Sequence, residues 1–297
     1  NDSAVIENVN IVKLDPGKAP KVLPPVGVDE GVVFDGDTKV NSQGYMYFPT
    51  GDTSQRGRGR CIVSNGSPGN QALQYLQMQS GGIMQSFGNL ANSAALSRGC
   101  GSSTRMLVGD GYIAPASTNI IEYLTIATTS NGTDFGDLTV AREMGAAFGN
   151  RTRGCYAGGN TPGDNRVNIV DYVTIQSLGN AVDFGDEQST VYSRGASSNS
   201  IRGVLSGGYG SPNQKLMELF TIPTLGNGVD FGELNRGGFG RSGTSSPITG
   251  LHASGTSGST AIEKITLATL GDAQDFGDLV EAATYGRGMS PSHGGLA

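Results

Sequence analysis

The stretch YLTIATTSNGTDFGD at residues 123–137 decides the fold, because its pattern returns at nearly constant spacing along the chain. Asp-Phe-Gly recurs at residues 134–136, 183–185, 230–232 and 275–277, and Ser-Phe-Gly at 86–88 is a weaker copy. The central residues of the five copies are Phe87, Phe135, Phe184, Phe231 and Phe276. Neighbouring phenylalanines lie 48, 49, 47 and 45 residues apart. Self-similarity at such a period indicates a repeat architecture.

Strand-like segments stand on both sides of each phenylalanine. Nine residues before Phe135, Ile126 shares one face of an extended segment with Leu124 while Tyr123 takes the other face, which is the alternation of a β-strand. Eighteen residues after a phenylalanine, an arginine opens a short apolar run, which closes with paired glycines in two copies. These arginines are Arg105, Arg153 and Arg202, with Arg60 one period earlier.

The composition supports a strand-rich globular chain. Of the 297 residues, 48 are glycine, 15% are charged and 36% are apolar, and the net charge is −6. Because glycine costs about 1 kcal/mol relative to alanine inside a helix, a helical protein is disfavoured. The apolar content is too high and the net charge too low for a disordered chain.

The same composition argues against several classes of function. The chain has no run of about 18 apolar residues and opens on no signal-peptide pattern, so we expect no membrane insertion. The acidic balance disfavours nucleic-acid binding, which depends on neutralising phosphates. Cys61, Cys100 and Cys155 lack the spacing of a zinc site and cannot all pair within one chain.

A period of about 47 residues with roughly four short strands fits one blade of a β-propeller, with a solenoid and a β-sandwich as competing architectures. The C-terminus stops midway through a repeat, and residues 31–48 look like the missing hairpin. Completing the last blade from both chain ends would remove free sheet edges. We therefore predict an all-β, six-bladed propeller over residues 31–297, closed by N- and C-terminal strands.

Residues 1–30 lie outside the repeat and contain four prolines and two short apolar patches, Val5-Ile6 and Ile11-Val12. One interpretation is a flexible tail. The other is an extended N-terminal arm that docks on a partner, since alternating Ile and Val suit strand addition to a sheet edge. We predict the arm.

The repeats resemble kelch repeats. An apolar strand that ends in paired glycines (residues 204–208) is combined with a tyrosine-containing strand (residues 122–126) and a downstream aromatic residue. Phenylalanine stands throughout where kelch repeats usually have tryptophan, a departure typical of a divergent branch. Arginines stand where kelch repeats have one: Arg98, Arg194, Arg241 and Arg287. Runs such as residues 123–137 more closely resemble kelch-like repeats encoded by tailed bacteriophages, notably those that infect cyanobacteria.

Short motifs that look like known ligand loops are interpreted as structure. Asp-Phe-Gly matches the kinase motif in letters only, because it recurs at blade spacing without a kinase catalytic loop. Residues 238–243 match GxGxxG but open no predicted helix. Residues 35–41 fit a hairpin turn better than a calcium loop, because Lys39 stands at a ligand position.

We expect no catalytic residues, no metal site and no cofactor. The two histidines, His252 and His293, both occupy repeat positions. Cys155 is predicted to be a buried apolar residue, and Cys100 is predicted to lie in a Gly/Ser-rich loop, where it could be exposed but has no basic neighbour to activate its thiol. These residues do not assemble a nucleophile, a base and an orienting group.

The repeated arginines Arg60, Arg105, Arg153 and Arg202 have two interpretations. As structure, each guanidinium binds backbone carbonyls or the aspartate of the neighbouring Asp-Phe-Gly turn, once per blade. As function, the arginines ring the axis and bind an anionic ligand.

Variable loops are the other candidate site. Length differences accumulate after the glycine pairs, which predicts that these loops emerge on one face of the propeller. They mix aromatic, amide and turn residues that suit a protein partner or sugar rings. The candidate binding residues are Tyr112, Asn160, Asp164, Arg166, Tyr209 and Asn213.

The phage-like repeats imply a virion protein on the tail or capsid surface. The expected function is a non-enzymatic structural component that binds other virion proteins through its N-terminal arm. The alternative is a lectin-like adhesin that recognises host-surface glycans, or a host protein, through the variable loops. An intracellular kelch-type adaptor is a third hypothesis.

Overall fold

The computed structural model describes residues 60–64, 70–77, 82–210, 214–253, 255 and 259–283, together with the backbone of two short strands nearer the N-terminus. The chain divides into two compact units, residues 1–56 and 57–297. Every regular element of the described residues is a β-strand. Nowhere in this described part is there a helix with the length and apolar character needed to cross a bilayer.

The first unit contains an antiparallel hairpin of β1 (Lys39–Val40) and β2 (Met46–Tyr47). Lys39 and Val40 of the predicted turn at residues 35–41 lie in β1, and the other residues of that turn lie outside the described part of the chain. The predicted boundary between an arm of residues 1–30 and a propeller of residues 31–297 lies outside the described residues.

The second unit contains five antiparallel sheets, which we call the first to fifth blades. The first blade has β3 (Arg60–Ser64), β4 (Ala72–Gln77) and β5 (Gln85–Asn89). The second has β6 (Arg98–Gly101), β7 (Arg105–Gly109), the short β8 (Tyr112–Ile113), β9 (Ala116–Thr125) and β10 (Thr133–Arg142). The third has β11 (Ala146–Gly149), β12 (Arg153–Ala157), an inserted hairpin of β13 (Asn160–Thr161) and β14 (Asn165–Arg166), β15 (Ile169–Thr174) and β16 (Val182–Asp186).

The last two blades follow the same plan without insertions in their described parts. The fourth blade has β17 (Gly195–Ser198), β18 (Arg202–Ser206), β19 (Leu216–Thr221) and β20 (Val229–Glu233). The fifth has β21 (Ser242–Ser245), β22 (Thr249–Ala253), β23 (Ala261–Thr266) and β24 (Gln274–Asp278).

Within each four-stranded blade the main strands lie side by side in chain order. The first strands of neighbouring blades, β6, β11, β17 and β21, contact one another around a common axis. This arrangement confirms an all-β propeller. The Asp-Phe-Gly motif lies on the outermost strand of its blade, as in β10 and β16.

The apolar core lies between neighbouring blades. One cluster joins Leu107 and Phe135 of the second blade to Tyr156 and Val173 of the third. Four of the repeated phenylalanines are only 2–3% exposed. Phe276 of the fifth blade is 56% exposed. The repeat therefore buries the aromatic ring of each of the first four blades against the blade that follows it.

The predicted number of six blades is not confirmed, since the described residues form five. The sixth blade was assigned to residues 31–48 and the C-terminus. Apart from β1 and β2, these residues lie outside the described part of the chain.

Candidate functional site

The propeller has two faces with different connections, because consecutive strands of a blade run in opposite directions. The turn face carries the links from first to second strand and from third to fourth strand of each blade. The loop face carries the links from second to third strand and from one blade to the next. The variable loop that the structure describes in full in the third blade, residues 158–168, lies on the loop face.

On the turn face, the repeated arginines tie each blade to the next. The Nη1 atoms of Arg60 and Arg105 donate hydrogen bonds to the carbonyls of Ile126 and Ile175, at 2.9 and 3.0 Å. Arg153 bonds Ile222 and Arg202 bonds Leu267 in the same way, at 2.5 and 2.9 Å.

Three of these guanidinium groups also lie 4.7–4.8 Å from the centre of a tyrosine ring in their own blade. The rings belong to Tyr75, Tyr123 and Tyr172. Leu219 stands at this position beside Arg202. The structure thus places the arginines between blades at the turn face, where carbonyls and rings occupy them.

The Asp-Phe-Gly motif makes a second contact between blades. Gly136 has a φ of +146°, and a Cβ added there would meet the carbonyl oxygen of Gly179 in the next blade at 2.4 Å. The next backbone N–H, that of Asp137, donates to Oδ1 of Asn180 at 3.0 Å. The same bond recurs from Asp186 to Asn227. Glycine is required here because the backbones touch.

A layer of buried charge lies nearer the loop face, and the sequence interpretation missed it. Asp171, Glu218 and Glu263 on the third strands of their blades are at most 1% exposed. They form ion pairs with Arg142, Arg194 and Arg241, at 2.9, 3.2 and 3.1 Å. The three acids also accept hydrogen bonds from the preceding blade or from the link that follows it, such as the bond that Oγ1 of Thr139 in β10 donates to Asp171 at 2.7 Å. The signal was the acid that recurs before each tyrosine position.

Two buried acids break the repeat. Glu187 is 3% exposed. It stands three residues after the repeated phenylalanine, where the other four blades have a leucine, such as Leu90 in the first blade. Burial raises the pKa of Glu187 to about 8, although Arg194 opposes the shift. Asp110 takes the place of a glycine, and burial raises its pKa to about 7, against the attraction of Arg98 and Arg142. Its carboxylate accepts the backbone N–H of Gly145 at 3.0 Å.

A cavity of about 320 Å³ lies along the axis. Ser197 lines it, and its hydroxyl is 3.0 Å from Nε2 of His252, whose Nδ1 is 2.6 Å from the Ser206 hydroxyl. Burial, together with the charges of Arg241 and Arg194, lowers the pKa of His252 to about 3. The imidazole is therefore neutral at pH 7 and too weak a base to take the Ser197 proton.

The thiols of Cys100 and Cys155 both lie in buried surroundings. Cys100 lies in strand β6, not in a loop, and lines the axial cavity. Burial raises the pKa of Cys100 to about 12 and that of Cys155 well above its usual value, so both thiols are protonated at pH 7. No group of three or more His, Cys, Asp or Glu side chains that could hold a metal ion occurs within the described ranges.

The predicted binding residues fall at separate places on the loop face. Asn160, Asp164 and Arg166 share the β13–β14 hairpin, where Nδ2 of Asn160 donates to Oδ1 of Asp164 at 3.0 Å. Tyr209 lies beside this hairpin in the fourth blade. Tyr112 lies in β8 of the second blade. Asn213 lies outside the described residues.

Arg166 and Tyr209 meet in an aromatic cluster that spans three blades. The Arg166 guanidinium lies 5.2 Å from the ring centre of Tyr209 and 5.9 Å from that of Tyr192. The Tyr209 ring lies 5.1 Å from Tyr192 and 5.0 Å from Phe239, the latter edge-on. Sequence reasoning missed Tyr192 and Phe239, because both lie in the links between blades. We call Arg166, Tyr192, Tyr209 and Phe239 the loop-face cluster.

The propeller resembles the solved structure of YjhT, with a TM-score of 0.65 and 9% sequence identity. The likeness covers 77% of this chain and 84% of that chain, and at this identity it concerns the fold alone. In total, 453 chains of solved structures match, so the fold by itself narrows the function little. No family model and no curated protein matches the sequence. The kelch and phage resemblance stays a prediction.

Proposed function

We propose that this protein is a rigid, non-enzymatic interaction module, and that it serves as a structural component of a tailed-phage virion on the tail or capsid surface. The observation that carries the proposal is the contrast between faces. The turn face repeats the same contacts at every described blade junction, whereas the loop face differs from blade to blade. A scaffold that is constant on one face and variable on the other suits recognition. The phage-like repeats supply the virion setting.

The chemistry of the described residues supports a role without catalysis. The serine and histidine pair of the axial cavity lacks a usable base, since His252 stays neutral well below pH 7. The strongly shifted acids Asp110 and Glu187 are 2–3% exposed and stand beside arginines. Strong shifts in such positions are also common in structural ion-pair networks.

Mass spectrometry of purified phage particles tests the virion assignment. We expect peptides of this chain at a stoichiometry typical of a structural protein. Particles that lack the chain while infected cells contain it would overturn the assignment. In the proposed arrangement residues 1–30 form the docking arm, so a variant without them should fold but be missing from particles.

We also propose that a sixth blade, built from residues 31–48 and the C-terminal segment, covers the fifth blade. The support is the outer flank of the fifth blade. Phe276 is 56% exposed while its four counterparts are 2–3% exposed. Gly277 has the same positive φ as Gly136, +147° against +146°, but no atom of the described residues lies within 4 Å of a Cβ built on it.

Gly277→Ala tests this closure in the full-length chain. If a sixth blade packs on β24, the substitution should destabilise the protein as much as Gly136→Ala, because both methyl groups would meet the backbone of a following blade. If the flank is open, Gly277→Ala should cost only the backbone strain. Equal loss of stability in Gly277→Ala and in Gly179→Ala, where nothing lies within 4 Å of the added Cβ, would contradict closure.

A second candidate function is a lectin-like adhesin for host-surface glycans. The loop-face cluster favours it, because Tyr209 stays 38% exposed at the centre of three aromatic rings. Amide and carboxylate groups of the β13–β14 hairpin lie in the neighbouring loop. Binding of purified protein to a glycan array, lost on Tyr209→Ala, would support this function, and an array without any bound glycan would contradict it.

A further inference from the structure

Arg166 differs from the other arginines at blade contacts. Its guanidinium forms no hydrogen bond or ion pair with any residue of the described chain, and its Nε is buried without an acceptor. Arg60, Arg105, Arg153 and Arg202 each donate to a carbonyl. Since a guanidinium offers five donors, Arg166 keeps a set of donors for a partner outside the protein.

The position of Arg166 is nevertheless fixed. Its charge lies over the faces of Tyr192 and Tyr209, and cation–π attraction holds it there. The absence of a side chain at Gly210 makes room, because a Cβ there would come within 2.8 Å of Cδ and Nη1 of Arg166. The two tyrosines are joined by backbone hydrogen bonds of 3.2 and 2.8 Å between the link and the loop. The cation is therefore held in place before any ligand arrives.

We propose that the loop-face cluster binds an acidic sugar, with the ligand carboxylate on Arg166 and a face of the sugar ring on Tyr209. This inference rests on the glycan-binding function proposed above. A planar guanidinium recognises a carboxylate through two parallel hydrogen bonds. The C–H groups on one face of a pyranose ring are electropositive and suit the negative face of an aromatic ring.

The surroundings favour a sugar over an acidic peptide. Among the described residues, the β13–β14 hairpin that carries Arg166 also offers the exposed polar groups of Asp164 and Asn165 and the half-buried amide of Asn160, and amide and carboxylate groups bond sugar hydroxyls well. Asp164 would repel a second ligand carboxylate, which disfavours a polyacidic chain. A ligand with one negative charge per ring and several hydroxyls matches this arrangement.

The test is binding of trigalacturonate, measured by calorimetry, with its trimethyl ester as the matched neutral ligand. We expect measurable binding of the acid, and at least tenfold weaker binding of the ester. Arg166→Gln should weaken binding of the acid by about tenfold to a hundredfold, the usual range for a lost charge-assisted bond. Tyr209→Leu should weaken the acid and the ester alike, because it removes the stacking surface.

The matched control is Arg151→Gln, since Arg151 is an exposed arginine on the turn face. It should leave the affinity unchanged, and unaltered melting temperatures should show that all variants fold. Failure of trigalacturonate to bind, or equal affinity for acid and ester, would overturn the acidic-sugar assignment. Unchanged affinity in Arg166→Gln would overturn the site but leave glycan binding intact. Tight binding of poly-glutamate at Arg166 without sugar binding would assign the cluster to a peptide instead.

Discussion

Arg105 on the turn face and Arg166 on the loop face both lie over a tyrosine ring, at 4.8 and 5.2 Å from its centre. Arg105 also donates to the carbonyl of Ile175 in the next blade, whereas Arg166 donates to no described residue. An arginine–tyrosine pair thus connects two blades on the turn face, whereas on the loop face such a pair holds an arginine that has no hydrogen-bond partner among the described residues. The difference teaches that a repeated residue maintains the ring, while a residue used once is available for recognition.

Removal of Asp171 should give the largest loss of stability, because the buried charge layer supports both faces of the propeller. Asp171→Ala leaves the guanidinium of Arg142 without its partner, and both side chains are fully buried. We expect a loss of about 3–5 kcal/mol in the free energy of unfolding, measured in urea. Asp183→Ala, an exposed acid of the same blade, is the control and should change little. Similar losses in both variants would contradict the buried layer.

The pH dependence of stability should reveal the titration of Glu187. Its pKa in the folded protein, about 8, lies above the ordinary value of a carboxyl, so the folded state holds a proton that the unfolded state releases. Stability should therefore fall as pH rises from about 5 to 8, by at most about 1.4 kcal/mol per pH unit for this group. Glu187→Leu, which restores the leucine of the other blades, should make this fall shallower, and Asp110, whose pKa in the folded protein is about 7, should supply the slope that remains. An unchanged profile would show that Glu187 does not titrate in this range.

Two glycine substitutions separate the destabilisation caused by a close contact between blades from that caused by backbone strain. Gly136→Ala brings a methyl group to 2.4 Å from the carbonyl oxygen of Gly179, whereas an added Cβ at Gly179 meets nothing within 4 Å. Both residues have a φ near +147°. We expect Gly136→Ala to be less stable than Gly179→Ala by about 1–3 kcal/mol in thermal unfolding. Equal melting temperatures would mean that the blades can move apart.

The smallest effect concerns the tyrosines of the turn face. Arg153 has both a carbonyl acceptor and the Tyr172 ring, whereas Arg202 has the carbonyl and Leu219. Arg153→Ala should therefore destabilise the protein more than Arg202→Ala, by about 0.5–1 kcal/mol. A double-mutant cycle of Arg153 with Tyr172→Leu measures this coupling. A coupling of zero would leave the ring without an energetic role.

The fold was predictable because the same physical requirement recurs once per blade. The phenylalanine that fills each junction and the glycine that permits close approach both appear in the sequence as Asp-Phe-Gly. The number of blades was harder to predict, because the evidence lay at the two chain ends, where the repeat is incomplete. The structure confirms the propeller and leaves the sixth blade a proposal.

The candidate site was only partly predictable. Arg166 and Tyr209 were found because variable loops carry them, and the structure brings the two together. Tyr192 and Phe239 were missed, since the links between blades show no shared pattern. Asp110 and Glu187 could have been found as departures from the repeat, where a glycine and a leucine are expected. Pairing across blades depends on three-dimensional register, which spacing alone does not supply.

Electron microscopy of assembled phage particles tests the central claim most directly. The account predicts density for a propeller at the tail or capsid surface, with the loop face and Arg166 turned away from the particle. Particles without a propeller, or with the loop face buried against another virion protein, would contradict it.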